Sequence, residues 1–560
     1  MNKIFYKICA ISIVAIFSAS CSDFLDKEVL GNSTDKDFYD TKYKLQSGLD
    51  AVYDILQSDK MNSSDVLFGD ATADDVKGND EGLSSQRGQL VNFRFNTSND
   101  NIKTRWEIYY EGVHRANEVI ANADRVQLST DDYTQYKAVR EILGQAKFLR
   151  AYFYFNLVRT FGGVPIRPEI EEVNKLVVPR SSKEEVYAYI EKDLREAAIM
   201  LPARYNNADA GKASEGAAVA LLMKVLMYEA TPGVQSDKWE EMKRLGEFFV
   251  DGKSMTFGEM LKYDSSEEDW ESLRKRLWFK PKELFNNTDT EETPETLLNL
   301  LNNNYNVEYK DYLGKEITYV EQFFQTGEFC QGSIFEIVFK ESADGTSGDT
   351  NDGGYIFDEL YSTNPMIYAN AQIVQDIFGN SDPRRQFSIT HQQNTPDGDL
   401  CQCGPGRYVS LKWYTPRKER PQYGGDNGKN RRILRFADVL LMYAEALNEC
   451  GNGAAALENL NRNKAQANKI TGSTVLYIAG GYGYMRDQIY TERRRELCFE
   501  FERFFDLVRQ GRAASVIKTF GNGYQNKRGA FFREGVNEIF PIPQTEIDIS
   551  NGVVTQNPGY

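Results

Sequence analysis

A mainly α-helical fold built from stacked helical hairpins, with an irregular centre, is the architecture this sequence predicts. Three observations carry it. Apolar residues recur at steps of three and four over long stretches at both ends of the chain. Small residues stand where such helices would touch: Ala146 and Ala151, Ala217 and Ala220, Ala444 and Ala446. Residues 232–430 have few long periodic runs and are rich in Gly, Asn, Asp and Tyr.

The elements follow in order. Helices are expected at 36–57 and 103–124. Between Lys137 and Phe161 the residues Ile142, Ala146, Leu149, Phe153, Leu157 and Phe161 form one apolar face, and Gly162-Gly163-Val164-Pro165 supplies the stop. Further helices are expected at 182–200 and 213–230. In the centre, Ser333 to Phe339 reads as a strand. A helix from about Ile433 to Cys450 carries Ile433, Phe436, Leu440, Tyr443 and Leu447 on one face and ends at Gly451-Asn452-Gly453. Ala454 to Asn468 reads as its antiparallel partner, and 485–510 as a last helix. The pairing suits a tetratricopeptide-like scaffold carrying a loop-rich central insertion with a few short strands, although no strict 34-residue period survives.

The N-terminus carries its own signal. Met1 to Lys7 is a basic n-region, and Ile8 to Phe17 is an apolar run too short to span a bilayer. Ser18-Ala19-Ser20-Cys21 then reads as a lipoprotein cleavage site that leaves Cys21 acylated, with Ser18 standing where such sites usually prefer Leu. Two acyl chains make a stable anchor. The domain reading is therefore a signal at 1–20, a lipidated linker at 21–35, an N-terminal helical part at 36–231, a variable region at 232–430 and a C-terminal helical part at 431–560.

Composition narrows the function. A net charge of −16 argues against nucleic acid and anionic lipid surfaces as partners. Aromatics make up 12% of the chain, including 32 Tyr and 33 Phe, at a mean hydropathy of −0.53, so rings are available for a wet binding surface as well as a core. Only two histidines, His114 and His391, are present, so His-based triads and multi-His zinc sites are poorly supplied. Cys401-Gln402-Cys403 lacks a second Cys pair or a His cluster and does not read as a metal site. Asp344 to Gly354 has carboxylates of the kind that hold structural calcium, but not the spacing of an EF-hand loop, and reads as a solvated loop; no other cofactor is expected. Gly424 to Asn430 and Gly480 to Gly483 fail the phosphate-binding spacings. The charged run from Glu492 to Arg509 reads as a semi-buried ion-pair network rather than an anion site. Asp74-Asp75 opens a polar stretch through Arg87 to Phe93-Arg94-Phe95-Asn96, whose rings and forked donors suit a sugar, although such a stretch is also an ordinary surface loop.

Together these pieces resemble the SusD/RagB family of outer-membrane nutrient-binding lipoproteins. The resemblance rests on Cys21-Ser22-Asp23-Phe24-Leu25-Asp26, on Trp106 to Asn117, on Ala146-Lys147-Phe148-Leu149-Arg150-Ala151-Tyr152 through Pro165, on Arg435 to Ala446, on the Arg-Glu-Leu helix, and on Phe540-Pro541-Ile542-Pro543 with Gln556 to Tyr560. It implies a tetratricopeptide-like fold, oligosaccharide binding without cleavage, and a SusC-like TonB-dependent β-barrel transporter as partner. Asp23, Asp26 and Glu28 resemble a signal for the outer leaflet. The implied ligand surface combines the early loop (Asp75, Arg87, Phe93 and Asn96) with central aromatics, for which Trp270, Trp278, Tyr355 and Tyr361 are the candidates. Phe93 stands where some starch-binding members carry Trp. A peptide-binding or adhesion role on the same scaffold is the alternative.

Overall fold

A computed structural model describes residues 38–560 apart from 79–83, 129–132, 169–176, 283–284, 286–289, 341–364, 391–394, 399–404, 421–426 and 524–527. Cys21, Tyr355, Tyr361, the Asp344–Gly354 loop and the Cys401/Cys403 pair fall outside the described residues.

The N-terminal half begins with α1 (Lys42–Gln57) and α2 (Asp59–Val66), which runs into a π-helical turn at Leu67–Ala71. A short strand β1 (Lys77–Gly78) and helix α3 (Gln86–Val91) precede the long helices α4 (Asp100–Asn122) and α5 (Tyr133–Phe161). Helices α6 (Lys183–Met200) and α7 (Glu215–Glu229) follow. The centre contains α8 (Asp237–Phe249), α9 (Phe257–Leu261), α10 (Trp270–Arg276), β2 (Ser333–Ile337), β3 (Ile367–Tyr368), α11 (Ala371–Phe378), α12 (Arg385–Ser388), β4 (Ile389–Thr390) and β5 (Val409–Ser410). The C-terminal part comprises β6 (Arg431–Arg435), α13 (Phe436–Glu449), α14 (Gly453–Asn468), α15 (Tyr482–Leu497), α16 (Arg503–Arg509), α17 (Ala513–Gly523) and α18 (Gln544–Ile549).

Local chemistry sets the helix ends. Thr41, Asn99, Ser214 and Ser236 accept backbone N–H groups at the starts of α1, α4, α7 and α8, and Ser182 with Glu185 forms a reciprocal capping box on α6. Gly162, at a φ of 74°, stops α5 in the left-handed region that its lack of a Cβ permits. Consecutive helices then pack side by side: α4 on α5, α5 on α6, α6 on α7, and α13 on α14. Ala146, Ala151, Ala217, Ala220, Ala444 and Ala446 are all fully buried, which lets these backbones approach. One apolar cluster runs from Leu45 on α1 to Val554 near the C-terminus, so the two ends of the chain share a core. Helix α8, in the stretch read as irregular, packs against α7 and α13.

Two expectations are corrected. The helix read from Ile433 begins only at Phe436, because 431–435 pairs antiparallel with β2 as strand β6. The single helix read at 485–510 is two helices. Between them Phe499 and Phe501 take φ values of 63° and 67°. The Phe501 ring stacks on Trp413 at 4.9 Å and lies under the Arg431 guanidinium at 4.8 Å, while its N–H donates to Asp70 at 3.2 Å. Tertiary seating of that one residue overrides the helical periodicity.

The charged run does form a network. Arg384, wholly buried, meets Asp382, Glu492 and Glu496 at 2.8–2.9 Å. Arg435 binds Glu496 and Glu500, Arg493 binds Asp438, and Arg509 binds Glu445 and Asp506. Burial alone would lower the pKa of Arg384, but Glu492, Asp382 and Glu496 hold its guanidinium charged. These pairs tie α15 and α16 to α13 and to the centre.

Candidate functional site

The early loop is anchored before it can present anything. Asp74 accepts from Arg503 at 2.7 Å and Arg494 at 2.8 Å, and Asp75 accepts from Arg494 at 2.7 Å. Burial works against both carboxylates; for Asp74 the two guanidiniums win and hold it below the usual range, whereas Asp75, beside it, is pushed up. Asp75 is fully buried, which corrects its reading as a ligand contact: it is the bolt between this loop and α15.

Phe93 is corrected in the same way. Its ring is 5% exposed and packs edge-on to Phe532 at 4.9 Å and beside Phe504 at 6.1 Å, in the core where the C-terminal segment closes. A φ of 55° turns it inward. Asn96 is exposed, and its Oδ1 accepts the Ser98 N–H at 3.0 Å, shaping the turn into α4. Arg87, on α3, is half-buried and has no hydrogen-bond or ion-pair partner among the described residues. Of the four early-loop candidates, Arg87 and Asn96 therefore keep groups for a ligand.

Beside this loop runs a narrow ribbon. Lys77 and Gly78 of β1 pair with Tyr368 and Ile367 of β3; Ala369 and Tyr408 exchange backbone hydrogen bonds at 2.8 and 2.9 Å; and β5 pairs with β4. On it the Arg407 guanidinium covers the half-buried Tyr368 ring at 5.0 Å. A half-buried ring stacked under a forked cation joins an aromatic group and a cation in one place. Sequence reasoning missed Tyr368, Arg407 and Tyr408, because nothing in a Tyr-rich chain marks which rings a two-residue ladder brings together.

The central tryptophans separate. Trp270 donates its indole N–H to the Glu292 carbonyl at 2.9 Å and meets Tyr263 edge-on at 5.2 Å, so it packs rather than presents. Trp278 is half-buried and meets Tyr136 at 5.9 Å, beside the α4–α5 turn. The early loop sits at the start of α4 and Trp278 near its end. The helix has 23 residues, which rise about 34 Å. The sequence candidates therefore do not converge on one site.

Two family models match the chain: one described as the SusD family over residues 341–560, and one described as starch-binding associating with outer membrane over residues 23–227. The chain is 26% identical to SusD-like protein P2 of Formosa agariphila over 582 residues, covering 99% of each. Among solved structures it is similar to a SusD homolog from Bacteroides thetaiotaomicron, at 22% identity and a TM-score of 0.71, covering 96% of this chain and 100% of that one. It is also similar to surface glycan-binding protein A from Bacteroides thetaiotaomicron in complex with laminarihexaose, at 21% identity and a TM-score of 0.66, covering 92% of this chain and 99% of that one. With family matches at both ends and relatives aligned over nearly its whole length, the chain belongs to the SusD family.

Proposed function

We propose that this protein captures oligosaccharides at the outer membrane without cleaving them and passes them to a SusC-like TonB-dependent β-barrel transporter. The observation that carries the reading is near-full-length similarity to a surface glycan-binding protein solved with laminarihexaose. The ribbon supports it: Arg407 over Tyr368, with Arg87 unpartnered and Asn96 exposed nearby in sequence, supplies a stacking face and hydroxyl partners. Tyr355 and Tyr361 are proposed as further ligand contacts. Capture by shallow stacking is weak, and a millimolar constant corresponds to about −4 kcal/mol. A second binding partner raises retention through effective concentration.

The anchor is proposed at Cys21. The described residues contain no helix long and apolar enough to cross a membrane. Replacing the cysteine, Cys21→Ala, is expected to abolish palmitate labelling and move the protein out of the membrane fraction; retained labelling would overturn the anchor. The transporter, as a polypeptide partner, is supported by an apolar strap joining α14 to α15. Val475 and Ile478 there are 71% and 65% exposed. Side-chain amides hold the strap out: Asn461 bonds the Tyr477 backbone and Gln488 donates to the Ile478 carbonyl. The same strap is what favours the alternative, a peptide-binding or adhesion role.

The test is a glycan array probed with the full-length protein in detergent, followed by Arg87→Ala and Tyr368→Ala. Binding weakened by both variants supports the reading. Peptide binding with no glycan signal would favour the alternative.

A further inference from the structure

Helix α10 ends in an unusual way. The N–H of Trp278 donates to the Lys275 carbonyl at 3.2 Å and the N–H of Phe279 to the Arg274 carbonyl at 3.0 Å. That is the pairing of a Schellman cap, whose left-handed position is normally glycine. Here it is Trp278, at a φ of 57°. A bulky residue in that conformation is strained, and the structure around it must hold it there.

The strain turns the ring into a cleft of about 730 Å³. Val126 and Leu128 from the α4–α5 connection, Phe279 and Pro281 form its apolar lining, and Tyr136 of α5 faces Trp278 with the two rings 5.9 Å apart and inclined at 45°. Both rings keep their polar ends. Trp239, Trp270 and Trp413 donate their indole N–H groups to the Thr231, Glu292 and Phe499 carbonyls. Trp278 has no acceptor among the described residues, and neither has the Tyr136 hydroxyl a partner. The wall charges are largely matched. Lys282 bridges Glu271 and Glu291 at 2.7 and 3.0 Å, and Arg274 binds Glu291 at 3.0 Å. Exposed Asp124 and Lys275, one of each sign, have no ion-pair partner among the described residues.

We infer that this cleft is a second carbohydrate site, separate from the early-loop surface, that takes a neutral pyranose segment against Trp278 and Tyr136. Two inclined rings fit CH faces, while an indole N–H, a phenol, a carboxylate and an ammonium serve hydroxyls that both donate and accept. Matched wall charges give an acidic sugar nothing extra. With about 34 Å of α4 between the two sites, only long chains reach both, and they gain by effective concentration.

The inference rests on the glycan-capture reading, and the experiment separates the two. An array of short and long oligosaccharides, neutral and uronic or sulfated, is probed with the full-length protein, Trp278→Gly, Tyr136→Ala and Arg87→Ala. Trp278→Gly suits the left-handed backbone, so it folds with at least the parent's thermal midpoint. The expected result is a loss of at least tenfold on long neutral chains with Trp278→Gly and with Tyr136→Ala. Signals that Arg87→Ala removes but Trp278→Gly leaves intact would overturn the second site and keep the capture reading. A blank array would overturn both. A loss confined to acidic glycans would overturn the assignment to neutral sugars.

Discussion

At Gly69 a single missing methyl group decides how the molecule closes. A Cβ there would stand 1.9 Å from the Phe501 carbonyl oxygen, a backbone atom with no room to retreat. The π-helical turn Leu67–Ala71 and the break after α15 are thus two sides of one contact. Gly69→Ala is expected to destabilise the protein by about 3 kcal/mol or more, as overpacking of a close-packed interior does, read as a drop in the urea midpoint. Asp70 in the same turn carries a second consequence. It is wholly buried, with Oδ1 unpartnered, its other oxygen accepting from the Phe501 N–H, and Asp75 and Glu502 adding negative potential. Burial first, then Asp75, raises its pKa from 3.8 to about 8, against the backbone N–H groups of Phe501 and Arg503. The folded state therefore holds a proton that the unfolded chain releases near pH 4. Asp70's contribution is whole below pH 4 and is lost as pH rises through 8. Asp70→Asn is expected to remove that dependence, raising stability at pH 8.5 by about 1–3 kcal/mol while leaving pH 5 little changed. A parallel shift at both pH values would contradict it.

At the scale of elements, the ion-pair lattice around α15 locks the centre to the C-terminal helices. Arg384 answers Asp382, two residues before it, and Glu492 and Glu496 of α15; Arg435 and Lys464 still reach Glu496 and Asp382, so Arg384→Met leaves Glu492 buried without a cation among the described residues. The expected cost is about 3–5 kcal/mol by chemical denaturation, far above that of an exposed pair. The network was legible in the sequence because Glu492 to Arg509 concentrates charge beside the apolar Leu497, Phe501 and Phe504. The break inside it was not. Phe501 keeps helical spacing, but its seat is made by Asp70, Trp413 and Arg431, which are distant in the chain. Helix α5 lay at the opposite extreme, since its apolar stripe and glycine stop are both local. Trp278 was visible as an aromatic but not as a left-handed cap. Tyr136 stands just ahead of the periodic apolar run and carries no local mark of a binding role. Phe93 and Asp75 looked like ligand groups because a polar loop gives no sign that its ring and its acid turn inward.

Over the whole molecule, one core joins the two ends of the chain, so the scaffold behaves as a rigid mount on which surfaces differ. The apolar residues of the family resemblance lie in that mount among the described residues: Phe148, Leu149 and Ala151 are buried, as are Ala444, Ala446 and Phe540. Fold and family were therefore readable from sequence, because packing residues carry them. The proposed ligand surface was not, because the Arg407–Tyr368 stack is brought together by a two-residue ladder that leaves no local mark in the sequence.

The most direct test of the account is calorimetry of the full-length protein against a glycan identified on the array, with chromatography of the sugar recovered afterwards. The account predicts saturable binding, weakened at least tenfold by Arg87→Ala or Tyr368→Ala, and a glycan recovered intact. Shortened products, or binding that neither substitution touches, would contradict it.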